Sequence, residues 1–328
     1  MTRCTKPSWL LIGLILSLPT PAPAQELHSP IIDMHVHTHP WSAPKEEQQS
    51  TDWKQGWEET QLLMNRSNIV LGLVSGPIEG IQAWSQLAQS RLIAGIMFPC
   101  DGGVVPNSNG RKCLKNGESY PNLDWLRQEI ESGRIGFLGE LVSQYAGLPP
   151  NDPALEPYYD LAEELDIPVA IHIGLGPPGA VYNDGWCGKN PCAPQYKANL
   201  SRPLLLEDVL IRHPHLRIYV MHAGWPMLEE MLNLLHSHPQ VYVDIAVLTF
   251  ENVTPRKAFH RYLQTLVDYG YGKRIFWGSD FTMNFEEAIE AVESADFLTQ
   301  EQKADIFYNN AARFLRLTEE EISAHHKR

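Results

Sequence analysis

The sequence predicts an α/β protein with the architecture of a (β/α)8 TIM barrel. Short, β-rich apolar runs alternate with amphipathic helical stretches almost throughout the chain, a pattern typical of parallel strands joined by crossover helices. The runs number eight, which is the number of strands that closes a (β/α) barrel. They lie at residues 30–33, 69–74, 92–98, 135–141, 169–173, 218–221, 241–245 and 275–277.

The helical stretches between these runs favour the same fold. They include residues 152–165, 204–212, 227–236 and 256–269, and the tail adds 284–294 and 300–317. Pro157 would disrupt a helix interior but suits a first turn, so we expect the first of these helices to begin near it. A doubly wound open sheet is the competing fold. It is disfavoured because no Gly-x-Gly-x-x-Gly sequence follows the first run.

The first 24 residues have the pattern of a secretory signal peptide. Arg3 and Lys6 precede the apolar residues 9–18, and Ala22-Pro23-Ala24 precedes Gln25. The apolar stretch is too short to span a bilayer, and no later segment approaches that length. We therefore expect a mature chain of residues 25–328 that forms one barrel domain and is exported, either to the periplasm or as a secreted protein.

The net charge disfavours two classes of partner. Removing residues 1–24 takes away two of the 26 basic residues and none of the 39 acidic ones, which leaves a formal charge of −15. Such a chain repels nucleic acid and anionic lipid, so neither is an expected partner. The partner that the candidate site described below predicts is a small-molecule substrate.

Four cysteines remain in the predicted mature chain, and an even number in an exported protein favours disulfides. Pairing Cys100 with Cys113 and Cys187 with Cys192 closes two short loops, although three pairings are open. These pairs fall within or beside two insertions after the third and fifth runs, residues 101–120 and 174–200. Zinc binding by the cysteines is the alternative, but the spacing of Cys100 and Cys113 is too wide for a close ligand pair.

Ionisable residues follow five of the eight runs at or near their carboxyl ends. Each alone has a structural explanation, such as a helix cap or a hydrogen bond at the barrel rim. Five strand ends carrying such residues together predict a metal site, because the carboxyl ends of barrel strands meet at one face. His35 and His37 are two residues apart on a strand and so point to the same side. The candidate ligands are His35, His37, Glu140, His172, His222 and Asp280.

The remaining histidines are excluded from the metal site, and a few other residues are only candidate substrate contacts. Four histidines close to prolines between helices and strands are predicted to lie at the opposite, amino-terminal face: His213, His215, His236 and His238. His260 is predicted to lie on a helix surface, and His325 and His326 in a terminal tail. Residues near active-face loops are candidate pocket residues, although packing is the more frequent role for aromatics: His39, Trp41, Tyr145, Trp186 and Trp225. Arg202 could pair with a substrate carboxylate or remain solvated.

The ordered set of His35-x-His37, His172, His222 and Asp280 resembles the amidohydrolase superfamily. Further sequences narrow the resemblance to the amidohydrolase-related (amidohydrolase 2) family, which includes aminocarboxymuconate-semialdehyde decarboxylase and lactonases. They are Met221-His-Ala-Gly-Trp-Pro226, Val241-Tyr-Val-Asp-Ile245, Gly278-Ser-Asp280 and Asn309-Asn-Ala-Ala-Arg-Phe314.

The resemblance implies roles for these residues. It places His35, His37, His172 and Asp280 at a first metal and makes His222 catalytic or a ligand of a second metal. Glu140 departs from the decarboxylase-like pattern and resembles the bridging group of phosphotriesterase-like members. A bridge at Glu140 would place one metal between His35, His37, Glu140 and Asp280, and another between Glu140, His172 and His222. One or two divalent ions, with Zn²⁺ favoured by the nitrogen and oxygen ligands, are therefore expected.

The expected function is hydrolysis of a small ester, lactone or amide by metal-activated water. Asp280 would move the proton of the water, and His222 would help to stabilise the oxyanion. The alternative is non-oxidative decarboxylation of an unsaturated or aromatic acid on the same site. A metal-dependent binding protein without turnover is the alternative of another class. The resemblance also allows a homodimer.

Overall fold

The computed structural model describes residues 29–38, 52–103, 112–184, 191, 193–280 and 284–327, the side chain of Gln89 excepted. Its eight strands form one sheet in which each strand pairs in parallel with the next along the chain. They are β1 (Ile31–His37), β2 (Ile69–Ser75), β3 (Leu92–Phe98), β4 (Phe137–Leu141), β5 (Val169–His172), β6 (Ile218–Met221), β7 (Val241–Asp244) and β8 (Ile275–Phe276).

The sheet curls into a nearly closed barrel whose seam lies between β1 and β8. Across the seam, the backbone N–H of Met34 donates a hydrogen bond to the carbonyl of Trp277 at 3.2 Å. The hydroxyl of Ser279 donates to the carbonyl of His35, also at 3.2 Å. The predicted (β/α)8 barrel is confirmed.

Helices alternate with the strands as the sequence predicts. They are α1 (Trp53–Arg66), α2 (Ile78–Ala88), α3 (Leu123–Glu131), α4 (Glu156–Glu164), α5 (Glu207–Arg212), α6 (Leu228–Ser237), α7 (Arg256–Asp268), α8 (Phe285–Glu293), α9 (Gln300–Ala304), α10 (Asn310–Leu315) and α11 (Glu319–His325). Pro157 lies in the first turn of α4, as expected for a residue that fits helix starts. The 3₁₀ turn Pro203–Leu206 precedes α5, and the π-helical turn Asp305–Asn309 joins α9 to α10.

Strand β1 is longer than the apolar run of residues 30–33 that predicts it. Its pairing with β2 continues to His37, which lies opposite Ser75. The apolar pattern stops earlier because both histidines of this strand are polar, although both are buried. Between Asp33 and Val36, β1 has one more residue than the facing part of β2. Such a bulge bends a strand locally, and here it lies where the ionisable residues begin.

A hydrophobic cluster fills the barrel interior. It gathers residues from β1, β2, β4, β5, β6 and β8 together with α10, and residues of six strands can meet only inside the barrel. At its base the ring of Tyr242 stacks on Phe276 with centroids 5.2 Å apart, and Phe314 packs 5.1 Å from Phe276. Arg217, which precedes β6, donates a hydrogen bond to the carbonyl of Phe314 at 2.9 Å. Helix α10 therefore closes the amino-terminal end of the barrel.

The residues near the carboxyl terminus form helix α11, whereas the sequence predicted that His325 and His326 lie in a terminal tail. His325, predicted to lie in one, belongs to α11 and is buried, with Nδ1 2.9 Å from the hydroxyl of Tyr308. The prediction was wrong because Thr318 and Glu321 form a capping box that starts one more helix. The ring of His326 also packs against Tyr308, with centroids 5.1 Å apart.

The loop after β3 is held by a disulfide between Cys100 and Cys113, whose Cα atoms are 6.4 Å apart. The carbonyl of Cys113 accepts a hydrogen bond from the N–H of Ile78 at 2.9 Å, which ties this loop to the start of α2. Cys187 and Cys192, like the predicted signal peptide, lie outside the described residues. None of the helices in the described ranges combines the length and hydropathy needed to cross a membrane.

The aromatic base predicts a large cost for truncating Phe276, whose ring is fully buried. We expect Phe276→Ala to lower the free energy of unfolding by about 3–5 kcal/mol, because the substitution leaves a cavity among rigid rings. Urea unfolding followed by circular dichroism measures the change. The matched control is Leu62→Ala on α1, where the side chain is 58% exposed and a change within about 0.5 kcal/mol is expected. Equal effects of the two substitutions would contradict the role of the ring.

Candidate metal centre

The structure brings all six sequence-predicted site residues to the carboxyl ends of the strands. His35 and His37 lie on β1, Glu140 on β4 and His172 at the last position of β5. The remaining two follow strands directly or closely, His222 after β6 and Asp280 after β8. Their side chains are buried, except that Asp280 is partly exposed. Parallel strand ends therefore collect four imidazoles and two carboxylates in one place.

Three ligand atoms form a compact triangle at the β1–β8 seam. The Nε2 atoms of His35 and His37 lie 3.2 Å apart, and Asp280 Oδ1 lies 3.3 Å from the first and 3.1 Å from the second. A zinc ion with bonds of about 2.1 Å in tetrahedral geometry holds its ligand atoms about 3.4 Å apart. The triangle therefore has the size of one face of a metal coordination shell.

The carboxylate of Glu140 extends from this triangle toward His172. Its Oε2 lies 3.4 Å from Nε2 of His37 and 3.9 Å from Nε2 of His35. Its other oxygen, Oε1, lies 3.9 Å from Nε2 of His172. The rings of His172 and His222 are in contact, with centroids 4.5 Å apart. Glu140 thus lies between two halves of the cluster and turns one oxygen to each.

Each of the four imidazoles is engaged through Nδ1 by a partner outside the cluster. Nδ1 of His35 lies 3.1 Å from the carboxylate of Asp244 and Nδ1 of His37 lies 3.1 Å from the hydroxyl of Ser75. The amide of Gln144 contacts Nδ1 of His172, and the carbonyl of Ala246 lies 3.1 Å from Nδ1 of His222. These contacts orient the rings so that Nε2 faces the centre, as the ligands of a metal site require.

Metal binding needs ionised carboxylates and neutral imidazoles, and the pKa shifts of Glu140, Asp280 and His172 favour these forms. Burial raises the pKa of Glu140, but the hydrogen bond with His35 and the nearby imidazoles outweigh it and hold the pKa at about 2. Burial likewise opposes ionisation of Asp280, yet His35 and His37 lower its pKa. Burial, and then the nearby imidazole of His222, lowers the pKa of His172 to about 3. His35 differs: burial would lower its pKa too, but Asp280 and Asp244 raise the pKa well above its usual value, so a metal ion must displace a proton from this ring.

Three residues of this arrangement were missed at the level of the sequence. Asp244 ends β7, so its place at a strand end was a signal equal to that of the residues found. Ser75 ends β2, where a hydroxyl carries little information. Gln144 follows β4 within the 3₁₀ turn Ser143–Ala146, and its amide has no pattern that distinguishes it from other glutamines.

The described candidate pocket residues have different surroundings. The hydroxyl of Tyr145 lies 3.4 Å from Nε2 of His172, at the centre itself. Trp225 packs edge-on against Tyr262, with centroids 5.0 Å apart. Arg202 forms an ion pair with Glu230 at 2.7 Å. The other three candidates, His39, Trp41 and Trp186, lie outside the described residues.

The histidines excluded from the site have partners elsewhere. His213 lies between Glu156 and Glu163 of α4, with a nitrogen 3.2 Å from each carboxylate. Nε2 of His238 lies 3.5 Å from the carboxylate of Glu207. Both follow helices and precede strands, so they lie at the amino-terminal face of the barrel.

A TIM barrel with imidazoles and carboxylates gathered at the carboxyl ends of its strands defines the class of metal-dependent barrel enzymes. Within that class, the family model described as Amidohydrolase matches residues 123–317, which is 195 of the 328 residues. The chain therefore belongs to the amidohydrolase family of enzymes. Comparison with curated protein sequences finds no match.

Solved structures share the barrel over most of the chain. A probable 2-pyrone-4,6-dicarboxylic acid hydrolase from Acinetobacter baumannii is 15% identical with a TM-score of 0.57, covering 88% of this chain and 99% of its own. A 2,6-dihydroxybenzoate decarboxylase from Rhizobium is 13% identical with a TM-score of 0.56 and coverages of 88% and 99%. A dihydroxybenzoic acid decarboxylase from Polaromonas, with bound manganese, is 12% identical with a TM-score of 0.56 and coverages of 90% and 99%. At such identities the likeness shows the fold.

The convergence of ligand atoms predicts that metal removal destabilises the protein. A metal present at 100 times its dissociation constant stabilises the folded state by about 2.7 kcal/mol. We expect dialysis against a chelator to lower Tm, and addition of a divalent metal to restore it, in a thermal unfolding assay. In the control variant His37→Gln the shift should shrink. A wild-type Tm that is the same with and without chelator would contradict a metal at this site.

Proposed function

We propose that this protein is a metal-dependent hydrolase that uses activated water on a small ester, lactone or amide. Membership of the amidohydrolase family supports this proposal. The observation that carries it is the position of Glu140, whose Oε2 lies near His35 and His37 while Oε1 lies near His172. A carboxylate that bridges two ions is expected in a two-metal hydrolase, in which the ions orient water and substrate together.

The residues present fit such ions, and we propose Zn²⁺ in two positions. His35, His37, Glu140 and Asp280 would hold the first ion, and Glu140, His172 and His222 the second. Imidazole nitrogen and carboxylate oxygen are the donors that zinc accepts, and the ring orientations are fixed by the contacts at Nδ1. A bound divalent ion supplies Lewis acidity and lowers the pKa of water so that a nucleophile exists at neutral pH.

Asp280 is the group best placed to move protons. Its side chain is 16% exposed, whereas His35 and His37 are fully buried and Glu140 is 5% exposed. It is therefore the carboxylate that faces the mouth of the barrel. We propose that Asp280 accepts a proton from the attacking water and passes it to the leaving group.

His222 is better suited to bind a metal than to donate a hydrogen bond. Its Nδ1 faces the carbonyl of Ala246, which can only accept, so Nδ1 carries the proton. Nε2 of the neutral ring then presents a lone pair to the centre. Of the two roles that the sequence left open for His222, we propose the ligand role.

Tyr145 can supply the hydrogen bond that His222 does not. Burial, and then the charge of Glu140, raises the pKa of this tyrosine well above its usual value, so the hydroxyl stays protonated. The hydroxyl lies beside Nε2 of His172. We propose that it donates to the carbonyl oxygen of the substrate as negative charge develops there.

Decarboxylation of an unsaturated or aromatic acid is the alternative reaction for the same site. Decarboxylases are among the solved structures with this fold. Such a reaction would use Asp280 or His222 to deliver a proton to carbon and would give Glu140 no bridging role. A binding protein without turnover fits less well, because the six candidate ligands are assembled and oriented.

Export from the cytoplasm, to the periplasm or the medium, is part of the proposal. Disulfides persist in oxidising compartments, so the bond between Cys100 and Cys113 supports export. The predicted signal peptide at residues 1–24 can be tested by sequencing the amino terminus of the secreted chain. The homodimer stays a prediction.

The bridging role of Glu140 predicts a change in metal content. In Glu140→Gln the amide nitrogen replaces one anionic oxygen and cannot bind a metal, so we expect two metal equivalents to fall to one. Elemental analysis of the purified proteins measures the ratio, and assays on lactones, esters, amides and aromatic acids measure activity. Glu164→Gln on the exposed surface of α4 is the control and should keep both equivalents. One equivalent in both variants and the wild type, with release of carbon dioxide, would replace the hydrolase by the decarboxylase.

The proton-transfer role of Asp280 predicts a loss of turnover that metal cannot restore. At saturating metal, kcat of Asp280→Asn should fall by about 10²–10⁴-fold, because the amide cannot accept the proton. Steady-state assays with increasing metal separate this loss from weakened metal binding. Asp268→Asn, at the exposed end of α7, should leave kcat unchanged. Full turnover of Asp280→Asn under saturating metal would remove Asp280 from the mechanism.

A further inference from the structure

The last residue of β7, Asp244, is fully buried beneath the cluster of candidate ligands. Both of its carboxylate oxygens are engaged. Oδ2 lies 3.1 Å from Nδ1 of His35. Oδ1 accepts two backbone hydrogen bonds, from the N–H of His222 at 2.8 Å and from the N–H of Ala246 at 3.0 Å. The residue therefore contacts both halves of the proposed metal centre from below without being one of its ligands.

Contact with Oδ2 determines which nitrogen of His35 carries the proton. An ionised carboxylate accepts hydrogen bonds and cannot donate them, so the proton must lie on Nδ1. When the ring is neutral, as metal binding requires, its lone pair lies on Nε2, which is 3.3 Å from the carboxylate of Asp280. This is the tautomer that a metal ligand requires at that position.

Contact with Oδ1 supports the unusual backbone that presents His222. His222 and Ala223 have φ values of 58° and 48°, in the left-handed region that residues with a Cβ rarely adopt. The bonds from His222 N–H and Ala246 N–H hold this turn, and the carbonyl of Ala246 in turn orients the ring of His222. The carboxylate of Asp244 thus holds the backbone turn that presents the ring of His222 to the centre.

No other described partner of the four rings combines these properties. The hydroxyl of Ser75 can either donate or accept, so it leaves both tautomers open to His37. The amide of Gln144 can turn either its oxygen or its nitrogen to His172. The carbonyl of Ala246 only accepts, but its position depends in part on Asp244.

We propose that Asp244 is a positioning residue for both halves of the centre. Through Oδ2 it sets the tautomer of His35, and through Oδ1 it holds the turn that presents His222. This inference rests on the proposed metal centre. It adds a residue that acts through the ligands rather than on the substrate.

The substitution Asp244→Asn separates the chemical role from a purely structural one. Asparagine has nearly the same shape, and its oxygen can accept both backbone hydrogen bonds, which leaves the NH₂ group facing Nδ1 of His35. The opposite orientation would turn that NH₂ group toward the two backbone N–H donors. His35 must then accept at Nδ1 and carry its proton on Nε2, where it blocks metal binding. We expect metal affinity to fall by about 10–100-fold.

Two measurements test this expectation. Competition with a chromophoric chelator gives the Zn²⁺ dissociation constants of wild type and variant. Nitrogen NMR of the metal-free protein labelled at histidine, recorded at alkaline pH so that the His35 ring is neutral, reports the tautomer of each ring, with the His35 signal assigned through His35→Gln. The wild type should show the proton on Nδ1 of His35, and Asp244→Asn should move it to Nε2.

Two control variants accompany the test. Asp305→Asn removes another buried carboxylate, one paired with Lys273 far from the centre, and should leave metal affinity unchanged. Ser75→Ala removes the partner of His37, and should weaken the metal less than Asp244→Asn does. Circular dichroism and Tm establish that each variant is folded.

The outcomes distinguish this inference from the proposed function. If Asp244→Asn keeps its metal affinity within twofold and its proton on Nδ1, the positioning role is overturned. The same holds if the wild-type ring already carries its proton on Nε2, a result that needs no folded variant. If the wild type binds no metal, the proposed function fails, whereas the tautomer of the metal-free protein still tests Asp244.

Discussion

The burial of several ionisable groups together is the constraint on which the rest of the structure depends. Glu140 and Asp244 carry negative charge away from water, and a buried charge is costly unless it is paired and hydrogen-bonded. Here the compensation comes from imidazoles on neighbouring strands and from backbone N–H groups. A parallel barrel brings the carboxyl ends of all its strands to one face, so the fold supplies the partners that these buried charges need.

The difference between local patterns and contacts made between distant strands explains which parts of the molecule could be predicted from the sequence. Each apolar run is a local pattern, so the eight strands and their order could be predicted, as could the residues that follow them. The end of β1 could not, because His35 and His37 are polar in sequence and buried only through pairing with β2. His325 was predicted to lie in a tail because it is close to the end of the chain. The capping box of Thr318 and Glu321 instead starts a helix that includes it.

The partners of the ligands were harder to predict than the ligands. Asp244 lies 209 residues from His35 along the chain, and Ser75 lies 38 residues from His37. Their contacts exist only after the barrel has brought distant strands side by side. The sequence motifs of the family include the ligands themselves. A serine or glutamine near a strand end, by contrast, has no sequence feature that distinguishes it from other serines and glutamines. The geometry of the site, rather than its composition, identifies these residues.

Closure of the barrel base by Phe276 and Phe314 has a consequence for the order of events in a catalytic cycle. The interior is filled with side chains at that end, so molecules cannot pass through the barrel. Substrate, water and product must therefore use the same opening. A product that remains in this opening excludes the next substrate, so product and substrate compete for one entrance.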